Sequence, residues 1–253
     1  MTLPVSGQSA AYCGPPAQPE SLWAAWNGDP WLIVALIVLA VAAGISAVRR
    51  TGADRHRSPA LLGAWLLAFA LFVTPLCAMS VALLSMRVVN HLVLVALLAP
   101  LLAWGLGGKR ATGTLTGAAI VHAAVFWIWH APQPYEAALS NDAVYWLMQL
   151  SLLASAVWFW RALIARWKDI AASAGTLAGF AAQMGLLGAL ITFAPDPLYA
   201  PHALTTAPWG LTALEDQQVA GLIMWVPGVL PYLVALAVAA ASALRGGGRI
   251  AAR

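Results

Sequence analysis

The chain has 253 residues, 62% of them hydrophobic and only 9% charged, with a formal net charge of +4. Soluble domains carry about 25% charged residues, so these charges are too few to cover a hydrated surface. A mean hydropathy of +0.80 and apolar runs of spanning length point to a polytopic membrane protein; basic residues confined to short loops exclude a nucleic-acid stripe.

Residues 1–30 hold no Lys or Arg and are rich in Pro, Gly, Ala and Ser. No signal-peptide core precedes Trp31, so this segment is expected to stay attached as a mobile outer tail. Seven apolar stretches follow, at 31–48, 60–84, 88–106, 113–131, 143–164, 172–194 and 217–242. Each approaches the roughly 20 residues that a helix needs to cross the hydrocarbon core. None shows the alternation of a barrel strand, and a lone strand would leave its backbone groups unpaired in lipid. The expected fold is therefore all-α, a seven-helix transmembrane bundle over 31–244 with a basic tail at 245–253. Pro75, Pro100, Pro132, Pro227 and Pro231 are expected to kink the spans they touch.

Basic residues are retained on the cytoplasmic side, and twelve of the 13 fall in one set of alternate loops. That set includes Arg49, Arg57, Lys109, Arg110, Arg166 and Arg253. Arg87 alone falls in the other set, together with seven of the nine acids. The N-terminus is thus expected outside and the C-terminus in the cytoplasm. Tryptophans such as Trp127, Trp146, Trp160 and Trp225 lie near span ends and read as an aromatic belt. Gly105, Gly107 and Gly108 follow a span without a strand and do not form a phosphate cradle. The small residues of 173–189 read as a close helix-packing face. Cys13 and Cys77 fit no CxxC pair, and the sequence leaves open whether they meet.

Ionisable groups within a bundle are costly, so each is a functional candidate. His91, His130 and His202 share one outer level with Glu215 and Asp216. Imidazole nitrogen with carboxylate or thioether would suit copper or zinc, and Met79, Met86, Met224 and Cys77 supply soft sulfur suited to Cu(I). Taken singly, each histidine is explained at least as well by a hydrogen bond between helices. His122 lies deeper; eight residues from His130, it is about 12 Å along the helix and about 80° around it, too far to share an ion. Asp216, Gln217 and Gln218 open the seventh span, where Asp216 is expected to cap its own helix. Gln217, Gly221, Met224 and Gly228 share a face that descends into the bundle.

The segments NHLVLVALLAPLLAWG (90–105), WHAPQPYEAAL (129–139) and LEDQQVAGLIMWVPG (214–228) resemble the CtaG family of seven-helix cytochrome c oxidase assembly proteins. The resemblance implies a bacterial inner-membrane factor that helps build a haem-copper oxidase, with oxidase subunits as partners and copper as cargo. His91 matches the second histidine of the family's HMxxH element. Trp129, His130 and Pro132 match its WHxP element, and Asp216, Gln217, Gln218 and Met224 its DQQxxGxxMW element. The chain departs from the pattern at Arg87, Val88, Tyr145 and Gln149, where relatives carry the first histidine, a methionine and a histidine pair.

These readings support a non-enzymatic assembly factor that holds Cu(I) at His91 and His130, with Met86, Met224 and His202 as further ligands. A competing reading pairs Arg87 with Asp216 or Glu215, which makes the acids counter-ions. Two other classes stay open: a transporter of copper or another small solute, and a metal-free scaffold for an oxidase subunit. Homo-oligomerisation is left open as well. No nucleophile elbow, HExxH or paired carboxylates of acid/base type occur in the spans.

Overall fold

The computed structural model describes residues 11–107 and 113–251; residues 1–10, 108–112 and 252–253, with Gly108, Lys109, Arg110 and Arg253 among them, lie outside the described residues. The protein is all-α, 81% helical, and among the described residues there is no strand. Helix α1 spans Pro30–Arg49, α2 Ser58–Phe72 and α3 Leu76–Ala82. Next come α4 (Leu84–Val93), a π-helical turn at Leu94–Leu98 and α5 (Ala99–Leu106). The second half holds α6 (Leu115–His130), α7 (Pro132–Ser140), α8 (Asp142–Ala165), α9 (Ile170–Phe193), α10 (Ala213–Trp225) and α11 (Leu230–Ala251). Among the described residues, five helical stretches are long and apolar enough to cross a membrane, and the number is seven if each of the bent pairs α2–α3 and α6–α7 counts as one span.

Prolines account for the breaks. The chain bends by 47° between α2 and α3, ahead of Pro75, and by 71° between α6 and α7. At the second bend Ala131 is extended (φ −75°, ψ 138°), the conformation forced on a residue that precedes proline, here Pro132. Pro100 follows the π-helical turn, and Pro227 opens a 3-10 turn between α10 and α11. Each removes an amide from the helical ladder, so the backbone widens or turns there.

Two boundaries differ from the sequence reading. Helix α4 starts at Leu84 and not at 88, because one extended residue, Leu83, suffices to turn the chain. Arg87 therefore lies in the second turn of a helix, 1% exposed, and not in a loop. Over residues 11–29 the N-terminal segment, expected as a loose tail, makes specific contacts with the bundle. It is tied down by a Cys13–Cys77 disulfide, by Tyr12 stacked on Tyr145 with ring centroids 4.8 Å apart, and by Asn27, whose amide donates to the Val73 carbonyl. The Tyr12 hydroxyl also donates to Asp29, holding that carboxyl below its usual range. At the C-terminal end, α11 continues through Arg245 to Ala251.

Small residues set the tightest contact. A Cβ on Gly188 would lie 2.8 Å from the Gly221 carbonyl, and one on Gly221 would lie 2.5 Å from the Gly188 carbonyl and collide with Thr192 Oγ1. Helices α9 and α10 thus touch backbone to backbone at Gly188, the packing mode expected for 173–189, whereas Gly175 and Gly179 of that stretch have nothing within 4 Å of their Cβ directions. The opposite end of the bundle collects basic side chains: Arg57 lies over Trp104, and Arg161 donates to the Gly107 carbonyl at 3.0 Å. Several tryptophans work inside the bundle instead of at a lipid interface: Trp160 is 4% exposed and donates to the Val95 carbonyl at 2.8 Å.

Candidate functional site

At the end of the bundle that carries the disulfide, α4 meets α10. The first amides of a helix have no intrahelical acceptor. In α4 those of Leu84 (2.6 Å) and Ser85 (3.2 Å), with the Ser85 hydroxyl, are taken by the Asp216 carboxylate. Asp216 therefore caps a neighbouring helix and not its own. The start of α10 is closed by Thr212 and Glu215 in a reciprocal capping box. With both acids so engaged, the pairing of Arg87 with Asp216 or Glu215 does not form.

Arg87 donates from Nε to the Ser80 carbonyl at 3.1 Å and lies 5.5 Å from the Tyr145 ring centroid. Its Nη1 is buried without a hydrogen-bond partner. One helical turn further on, on the same face, comes His91. His91 is 1% exposed and neither of its ring nitrogens has a partner. The His130 ring stands edge-on to it, with centroids 5.4 Å apart.

The orientation of His130 follows from its backbone. Its Nδ1 lies 2.7 Å from the Phe126 carbonyl, one turn back on α6, and a carbonyl only accepts. In the neutral ring Nδ1 must carry the proton, which leaves the Nε2 lone pair free. A ring tethered in this way at one nitrogen is the usual preparation of a histidine for a metal at the other. His130 Nε2 is buried and unpartnered. Helices α4 and α6 thus set two imidazoles with unpartnered nitrogens edge to face, 5.4 Å apart at the ring centroids, and neutral imidazole is a donor that suits a soft ion of low charge. Among the described residues, no group of three or more His, Cys, Asp or Glu is arranged to hold a metal ion.

The other predicted residues divide. Met224 is fully buried. It lies eight residues past Asp216, as His91 lies seven past Leu84, so both are about 10–12 Å down their helices and share one depth. Met86 is half-buried and five residues from His91, about 140° around the helix, which separates their side chains. His202 is buried, but its Nε2 is 2.6 Å from the Tyr135 hydroxyl and its Nδ1 3.4 Å from the Ala82 carbonyl, so both nitrogens have partners. Burial, with the Arg87 charge adding, pushes its pKa down to about 4.

His122 lies in a separate layer, stacked on Phe180 at 4.9 Å with Nδ1 against Ser155 Oγ at 2.9 Å. Gln217 pins the connection from α9: its side-chain carbonyl accepts from the Leu198 amide at 2.6 Å, and its amide donates to the Ile191 carbonyl at 3.2 Å. Gln218 is half-buried. Trp129 donates to Ser151 at 2.8 Å, and Pro132 opens α7 beyond the bend.

Further residues join the site without having been singled out. Tyr199 donates to the His130 carbonyl at 2.7 Å and packs against Tyr135, with ring centroids 5.1 Å apart. Tyr135 lies within the 129–139 segment, so its place in a motif was the available signal. The disulfide sits against the Tyr145 hydroxyl, and both side-chain polar atoms of buried Gln149 are unpartnered. The family described as cytochrome c oxidase caa3 assembly factor matches residues 114–246, which include His130 and 214–228 but not Arg87 or His91. No curated protein and no solved structure matches the chain.

Proposed function

The chain belongs to the family of cytochrome c oxidase caa3 assembly factors, and we propose that its part in assembly is to pass Cu(I) to a nascent oxidase subunit. The observation that carries this reading is the state of His130, tethered at Nδ1 and orphaned at Nε2, beside a His91 with no partner at either nitrogen. Two nitrogen donors without a carboxylate hold Cu(I) loosely enough to release it, and Met224, buried in α10, is the soft sulfur this reading adds to them. The role is binding and transfer, without catalysis.

Placement of the site on the outer face of a bacterial inner membrane rests on two independent features. Basic residues collect at the opposite end, and the Cys13–Cys77 disulfide suits an oxidising compartment. In this arrangement residues 1–30 lie outside, 31–244 form the membrane domain and 245–253 reach the cytoplasm. A metal-free scaffold is the second reading, favoured by the lack of any three-residue His, Cys, Asp or Glu cluster among the described residues.

The test is to complement cells lacking the chain with the native protein or with a His91→Ala, His130→Ala variant. Copper delivery predicts an oxidase that assembles poorly in the variant and recovers when the medium is supplemented with copper. Normal oxidase copper in the variant would leave the scaffold reading.

A further inference from the structure

We infer that Arg87 is a specificity residue that makes the histidine pair select a singly charged metal ion over divalent ions. This rests on the Cu(I) reading above and extends it from the donors to the field in which they sit. A guanidinium stays protonated in a protein, so Arg87 brings a permanent positive charge into the interior. It is 1% exposed, and among the described residues no carboxylate lies within ion-pairing distance of it. The buried acid of this end, Asp216, is directed to the first turn of α4 and forms no ion pair with Arg87. Arg87 is held in place by the Ser80 carbonyl and the face of Tyr145, neither of which cancels its charge.

Residues four apart on a helix lie about 5–6 Å apart at Cβ, so Arg87 and His91 share one face of α4, a single turn apart, with the guanidinium carried at the outer side of that turn by Ser80 and Tyr145. Its charge reaches His202 as well. Coulombic repulsion is proportional to the charge of the incoming ion. A divalent ion between His91 and His130 therefore meets about twice the penalty that Cu(I) meets, in logarithmic terms. Zinc and Cu(II) are the competitors that two imidazoles would otherwise admit. Ligand type alone does not reject them; the fixed cation does.

The full chain in detergent is titrated with Cu(I) under anaerobic, reducing conditions and separately with Zn(II), each against a chromogenic competitor. The native protein is compared with Arg87→Met and Arg87→Gln, both uncharged. The expected result is that each variant gains at least about ten-fold in Zn(II) affinity, with a gain for Cu(I) about half as large on a logarithmic scale. Arg87→Gln removes the charge while keeping a polar side chain, which tests the idea even where Arg87→Met fails to fold. Equal gains for both ions, or no gain for Zn(II) in a folded variant, would overturn the role of Arg87 while leaving the copper site standing. A native chain that binds no Cu(I) would remove the copper reading and this inference with it.

Discussion

Asp216 on α10 holds the amide of Ser85 on α4 at 3.2 Å across 131 residues of sequence. This one carboxylate positions the helix that carries Arg87 and His91. A charge-assisted cap of this kind contributes about 1–3 kcal/mol. Asp216→Ala is expected to lower the melting temperature in detergent, and Asp216→Asn, which keeps an acceptor, to lower it less. A melting temperature unchanged by Asp216→Ala would mean that α4 is positioned by packing alone.

Substitution at Gly221 tests the backbone contact between α9 and α10. A methyl group there meets Thr192 and the Gly188 carbonyl, so Gly221→Ala is expected to destabilise by about 1–3 kcal/mol. Gly175, on the same helix as Gly188, has nothing within 4 Å of its Cβ direction. Gly175→Ala should be neutral or stabilising by up to about 1 kcal/mol, as expected for a helix interior. Thermal unfolding of the two variants side by side makes the comparison.

Acid sensitivity follows from His202. Its folded pKa of about 4 lies below the ordinary imidazole value near 6.5, so between those values the unfolded chain binds a proton that the folded chain refuses. The stabilisation is complete above pH 6.5 and is lost as pH falls toward 4, amounting to about 3 kcal/mol over the whole interval. His202→Gln is expected to flatten this part of the stability profile. An equally steep decline in the variant would place the acid sensitivity elsewhere.

The Cys13–Cys77 disulfide closes a loop with a sequence separation of 64 residues, and such a link contributes about 2–4 kcal/mol. Reduction is expected to free the segment before α1 for proteolysis near Cys13 while the spans stay protected. In intact cells, thiol labelling of the native protein should require prior reduction. Labelling without reductant would mean that the two sulfurs are not joined.

Much of the architecture was legible in the sequence because hydrocarbon imposes simple rules. Seven apolar runs become helices, and Pro75 and Pro132 mark bends, since lipid offers a freed backbone group no water. The histidine pair was legible only as two residues at one level; that Phe126 fixes the His130 tautomer is a local backbone contact that spacing does not encode. Asp216 was misread for a related reason. Its position near a helix start suggested a cap for α10, but Thr212 and Glu215 fill that role, and the helix served by Asp216 is remote in sequence. The N-terminal segment was misread because its composition is that of a linker, whereas Tyr12, Cys13 and Asn27 each find a partner far along the chain.

The most direct measurement is the copper content of purified, Cu(I)-reconstituted protein compared with a His91→Ala, His130→Ala double variant. The prediction is close to one Cu(I) per native chain and its loss in the variant. Equal copper in both, or none in either, would contradict a copper site at the histidine pair.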